Sequence, residues 1–168
     1  MSPRNYAELD VLDKRLGRDL ALRYLETAGM FEDSDFETTS RRGATYEVVT
    51  DIDVVSGVPS AVQLLANRLK THRGELAALG HPEYGSRHHE LIGEPNSERN
   101  RNLVKLYILQ ALRHEPRIAE VLECFVTTPV TPPRDQVRVE LTIQLIDEHQ
   151  PLNLVVPFSF DGDTRSLS

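Results

Sequence analysis

Four glutamates stand in or beside turn-rich stretches of this chain: Glu83, Glu90, Glu94 and Glu115. Two carboxyl groups facing each other across a cleft are enough for glycoside hydrolysis, one as acid and the other as base or nucleophile. No spacing singles out a pair among these four, and with 26 Asp and Glu residues in the chain some pair can always be drawn. The six histidines invite a metal reading, but His88 and His89 are adjacent and no Cys–His spacing fits zinc. They read as solvated or hydrogen-bonded side chains. The single cysteine, Cys124, cannot form an intrachain disulfide and reads as a buried, inert thiol. A phosphate-cradling glycine loop, a G-x-S-x-G elbow and an H-E-x-x-H helix are all missing from the sequence. The expectation is a protein without catalytic residues, metal or cofactor.

A different kind of chemistry is offered by Glu115-Pro116-Arg117, at the end of an apolar helical run. A helix C-terminus carries partial negative charge, so a carboxylate there needs a cation nearby. Proline keeps the residue before it out of the helix, which turns Glu115 extended. In extended chain Glu115 and Arg117 project to the same side. The result is a rigid acid–proline–base corner. It serves either as an internal staple or as a charged docking point for a partner.

The elements that carry this corner follow from periodicity. Residues 4–16 repeat weakly as a helix, and Leu20, Leu22 and Tyr24 alternate as a short strand. Residues 26–43, rich in Ser, Thr and Asp, read as a long polar surface loop. Tyr46, Val48, Thr50, Ile52 and Val54 then share one side of a strand. Ser60 and Gln63 have capping-box spacing ahead of a helix with Val62, Leu65, Ala66 and Leu69 on its apolar face. A Gly- and Pro-rich stretch over 80–97 precedes a second helix from Glu98 to His114, with Val104, Tyr107, Ile108, Ala111 and Leu112 inward. Leu122, Cys124 and Val126 alternate next. The clearest strand places Val137, Val139, Leu141, Ile143 and Leu145 on one face and Thr142 among the residues of the other. A turn then leads to Leu152–Phe158, closing a C-terminal β-hairpin. The fold expected is α+β: a small, mainly antiparallel sheet with the two principal helices packed on one face.

With 168 residues and no visible repeat, the chain reads as a single globular unit. Within it, residues 1–43 read as an N-terminal extension and 44–168 as the main domain. A net charge of −7 argues against nonspecific nucleic-acid binding. No signal-like segment or membrane-length apolar run is present in the sequence, so a protein made in the cytoplasm and not inserted in a membrane is expected.

The order of RLKTHRGEL, GHPEYGSR, GEPNSERNRN and LRHEPRI, followed by a hairpin ending in VVPFSF, resembles the GPW/gene-25-like family of contractile-tail baseplate proteins. The resemblance runs from about Val48 to Phe160 and is most specific at Glu115-Pro116-Arg117. It implies a structural baseplate wedge subunit of a phage tail or contractile injection system, present in six copies around the tube. On this subunit the contractile sheath begins to polymerise. The implied partners are the sheath protein and other wedge, tube and hub proteins, with Glu115, Pro116 and Arg117 serving assembly. Parts of the family are labelled lysozyme-like, so a peptidoglycan hydrolase is the alternative. A sheath starter needs an open strand edge, and the C-terminal hairpin is expected to supply it through Val137, Val139, Leu141, Thr142 and Ile143.

Overall fold

The computed structural model describes residues 15–27, 30–42, 48–130 and 134–161. The helix expected over 4–16 and the strand position of Tyr46 lie mostly or wholly outside these residues. Internal contacts divide the chain into two compact units, one up to Leu64 and one from Leu65 onward. Residues 26–27, 30–36 and 38–42 are engaged in strand pairing with their neighbours.

Strands β1 (Arg18–Leu20), β2 (Leu22–Thr27), β3 (Met30–Phe36), β4 (Thr38–Arg42), β5 (Val48–Ile52) and β6 (Val54–Ser56) form three two-stranded arms. The pairs are β1 with β6, β2 with β3 and β4 with β5, all antiparallel. Of the polar stretch 26–43, expected as a loop, the described residues are strand apart from Glu37. A two-stranded arm satisfies its backbone by pairing and needs no apolar alternation where solvent bathes it. Single residues link the arms: Ala21, Glu37 and Asp53. Their backbones close a ring, in which Ala21 N–H donates to Asp53 O, Asp53 N–H to Glu37 O and Glu37 N–H to Ala21 O, each at 2.8 Å. Before each linker an aspartate (Asp19, Asp35, Asp51) accepts the next N–H through Oδ1 at 2.8 Å. These aspartates, each followed by an apolar residue, recur every 16 residues, so the structural repeat has a sparse counterpart in the sequence.

Helix α1 (Val58–Lys70) starts two residues before Ser60, and the expected capping box does not form. Gln63 is buried and works elsewhere. Its Oε1 accepts from Leu22 N–H and its Nε2 donates to Leu20 O, both at 2.8 Å. One side chain thus satisfies the backbone on both sides of Ala21.

From Leu65 onward the second unit contains the end of α1, short 3-10 turns at Ala77–Leu79 and His88–Leu91, and helix α2 (Glu98–Arg113). Ser97 caps α2, its Oγ accepting from Asn100 N–H at 3.2 Å. Strands β7 (Ile118–Thr127), β8 (Gln136–Leu145) and β9 (Leu152–Ser159) form an antiparallel sheet in the order β7-β8-β9, and α2 packs against β7. The alternation on β8 is realised in full, with Val137, Val139, Leu141, Ile143 and Leu145 all buried. Burying each such side chain contributes on the order of 1.5–3 kcal/mol. Two bulges interrupt β7, one between Val121 and Glu123. That bulge turns Leu122 outward, 46% exposed, although alternation with Cys124 places it inside. The mixed architecture is α+β.

The sheet corrects one expectation about partner contacts. β8 is the central strand, paired on both sides. Val137, Val139, Leu141 and Ile143 are core, and Thr142 spends its hydroxyl on Asn153 Oδ1 at 3.2 Å. An open edge belongs to β7 or β9, because hairpin formation consumes one side of β8 and β7 takes the other.

Candidate functional site

Glu115 leaves α2 just after its last turn, with Glu115 N–H donating to Leu112 O at 3.0 Å and Ile118 N–H to Glu115 O at 3.1 Å. The side chain does not stay at an exposed corner; it is 4% exposed. Its principal partner is Arg68 of α1, whose Nη2 donates to Oε2 at 3.1 Å while Nη1 reaches Ala111 O at 3.5 Å. The Arg68 side chain is itself only 11% exposed. Arg117 contributes its N–H to Glu115 Oε1 at 3.3 Å, and its Nε lies 3.9 Å from the same oxygen. Both oxygens thus face cations, but the strong contact comes from 47 residues away. Pro116 is exposed, and Arg117 O accepts from Ile146 N–H at 3.0 Å, which fastens the corner to the end of β8.

The stretch Gly80–Arg87 closes over Arg68. The guanidinium of Arg68 sits 4.6 Å from the centroid of the Tyr84 ring, a cation–π contact that is stronger when desolvated. Arg68 Nε has no hydrogen-bond partner among the described residues. Gly85 allows the approach, with φ at +97° and the site of a would-be Cβ only 2.6 Å from both Thr71 O and His72 O. Ser86 N–H donates to Thr71 O at 2.9 Å and Arg73 N–H to Ser86 O at 3.1 Å. Arg73 pairs with Glu83 on the outside of the loop. Arg87 pairs with Glu90 through two bonds of 2.9 Å and lies over the Tyr107 ring.

Beneath the loop three histidines stack. His72 and His89 ring centroids are 4.1 Å apart, His88 and His89 4.0 Å, and His88 meets the Phe158 ring edge-on. His88 Nδ1 is 2.7 Å from Ser86 Oγ, and His89 Nε2 is 2.8 Å from Leu69 O. Among the described residues no group of His, Cys, Asp or Glu has the arrangement of a metal site. Burial, helped by the neighbouring His89 and His72, lowers the His88 pKa to about 3. Burial also lowers that of His89, against the pull of the Leu69 carbonyl. Buried Cys124 has its thiol pKa pushed up by burial.

His88 gives a pH prediction. The unfolded chain takes up a proton near pH 6.5, whereas the folded chain keeps His88 neutral until about pH 3. Below 6.5 the unfolded state therefore binds more protons, and stability falls with pH by up to about 1.4 kcal/mol per unit until the folded pKa is reached. Melting temperature is expected to drop between pH 7 and pH 5, and His88→Asn to flatten that slope. An unchanged slope in the variant would show that His88 is not the titrating group.

Of the residues expected at the site, Glu115 and Arg117 are brought together, while the β8 residues lie in the sheet interior or on its paired central strand. Arg68 and Tyr84 were not foreseen. Arg68 had a sequence signal, because it falls between Leu65 and Leu69 on the i, i+3, i+4 stripe of α1. An arginine on a buried stripe requires a carboxylate opposite, and Glu115 requires a cation.

No protein-family model matches the chain, and no curated protein sequence does so either. Among solved structures the chain is similar to a protein from Geobacter sulfurreducens provisionally described as a tail lysozyme. The likeness has a TM-score of 0.49 with 23% identity, covering 58% of this chain and 86% of that one.

Proposed function

We propose that this protein is a structural baseplate wedge subunit of a contractile injection system or phage tail, on which the sheath begins to polymerise. The resemblance of its motifs to the GPW/gene-25-like family supports the reading. The observation that carries it is how the acid–proline–arginine corner divides. Glu115 is turned inward and held by Arg68, which fixes the corner. Among the described residues the Arg117 guanidinium has one ion-pair contact, the 3.9 Å approach to Glu115, and its side chain is 28% exposed. A fixed backbone with a partly free, forked cation suits docking onto carboxylates or carbonyls of a neighbouring subunit. The same burial argues against the lysozyme-like alternative, since a general acid must touch its substrate. The partners in this reading are the sheath protein and other wedge, tube and hub proteins, and the protein resides in the assembled particle.

An open strand edge for the sheath is assigned here to β9. The other edge, β7, carries Glu120 and Glu123 and two bulges, the usual devices that blunt an edge. On β9 the register with β8 runs unbroken from Leu152 to Ser159, and only Pro157 lacks an N–H.

Arg117→Lys tests the reading. Because Arg68 holds Glu115, the substitution is expected to change stability by about 1 kcal/mol or less. Sheathed particles counted by electron microscopy should nevertheless become scarce, since lysine cannot reproduce the fork. Normal particle numbers would overturn the docking role of Arg117. Clearing of cell-wall suspensions by the purified protein, lost in a Glu115→Gln variant shown to remain folded, would favour the hydrolase instead.

A further inference from the structure

The three-armed junction has two unlike sides. Cross-strand partners share a face, and the pairs that flank the junction are Leu20 with Val54, Leu22 with Phe36, and Thr38 with Ile52. The 16-residue repetition carries each pair onto the next, so all three pairs lie on one side. Leu20 is 42% exposed, Phe36 49%, Ile52 41% and Val54 48%. On the other side stand the linkers themselves; Ala21 is buried there, and Gln63 of α1 reaches Asp19 Oδ2 at 3.4 Å. Because successive residues alternate, Asp19, Asp35 and Asp51 belong to this second side. Among the described side chains the apolar side is poor in charge: of the next outward pairs, Arg18 with Ser56 and Ser40 with Thr50 add one cation and three hydroxyls.

We propose that the apolar side of this junction is a docking platform for an uncharged, apolar segment of another protein. Four half-exposed side chains make a patch on the order of 300 Å², the size of the largest apolar patch on many monomers and one that is often functional, but well short of the roughly 800 Å² per partner of a stable standard interface. A second copy of the chain seated there alone would be too weakly held. A membrane surface is a poorer match still, since anionic lipid calls for clustered Lys and Arg, and among the described side chains next to the patch Arg18 is the one cation. A short apolar segment, held elsewhere by a larger contact, fits the size and the missing charge. The inference rests on the baseplate reading only for where that segment comes from.

The test is photo-cross-linking from the full-length chain, produced together with the genes that flank its own. A benzoylphenylalanine is placed at Phe36, and in a control at Glu37 on the opposite side. Position 36 is expected to trap one charge-poor, apolar segment of a different protein, and position 37 not to trap it. Leu20→Asn with Ile52→Asn should abolish that cross-link without lowering the melting temperature, as the replaced side chains are already solvated. Equal trapping at both positions, trapping of a second copy, or none at position 36 would overturn the platform. If position 36 traps such a segment while the chain enters no sheathed particle, the baseplate reading fails and the platform stands. Normal particles with no cross-link at position 36 give the reverse.

Discussion

Glu115→Ala is expected to cost about 3–5 kcal/mol of folding stability, the usual loss when one partner of a buried ion pair is removed. The alanine leaves Arg68 charged, 11% exposed, and already without a partner for Nε among the described residues. Tyr84 and the Ala111 carbonyl compensate for little of this. Arg117 cannot take over, because it is a cation too. The converse substitution sharpens the expectation. Arg68→Met together with Glu115→Ala removes both charges, and replacing a buried pair by apolar groups is often close to neutral. The double variant should therefore recover much of the loss, which a denaturant titration of the single and double variants measures directly. If Glu115→Ala alone costs under about 1 kcal/mol, the pair behaves as a solvent-exposed staple and Arg68 is not its anchor. Combined with Arg117→Lys, the result separates two roles within three consecutive residues: Glu115 would govern folding, and Arg117 assembly.

What the sequence made legible was set by how strongly each segment depends on side-chain periodicity. α2 and β8 bury one face against a core, so their apolar residues recur at helical and strand spacing and both elements were readable. The three arms depend on backbone pairing, with the Ala21, Glu37 and Asp53 ring and the aspartate N–H bonds as their fixed points. Such bonds leave no hydrophobic pattern, and a Ser/Thr/Asp-rich strand is indistinguishable from a loop by composition. At the site the local half was readable: proline forces Glu115 out of the helix and brings it near Arg117. The decisive half was not, since Arg68 is distant in sequence and the choice between two arginines is made by tertiary packing. The β8 partner surface failed for a related reason. Periodicity identifies a strand, but only strand order decides whether it has a free edge.

Gly85→Ala is the second large effect. Gly85 combines two demands that usually occur apart. Its φ of +97° disfavours any L side chain, and an added Cβ would lie 2.6 Å from two backbone carbonyl oxygens, those of Thr71 and His72. Neither carbonyl is the end of a flexible side chain, so the loop itself has to move. Movement weakens the bonds from Ser86 N–H to Thr71 O and from Arg73 N–H to Ser86 O. It also lifts the Tyr84 ring from Arg68 and Ser86 from His88. The expected loss is about 4 kcal/mol, at the level where single substitutions become diagnostic of clash plus strain. Gly80→Ala is the internal control. Gly80 has nearly the same φ, +86°, but nothing within 4 Å of the would-be Cβ. It should cost only the conformational part, about 1 kcal/mol. Denaturant unfolding of the two variants side by side isolates the steric part as their difference. Equal losses would mean that the loop gives way without resistance, so that close packing on Thr71 and His72 does not hold Tyr84 over Arg68. A difference of several kcal/mol would make Gly85 the residue whose missing side chain lets the loop close over the Arg68–Glu115 pair.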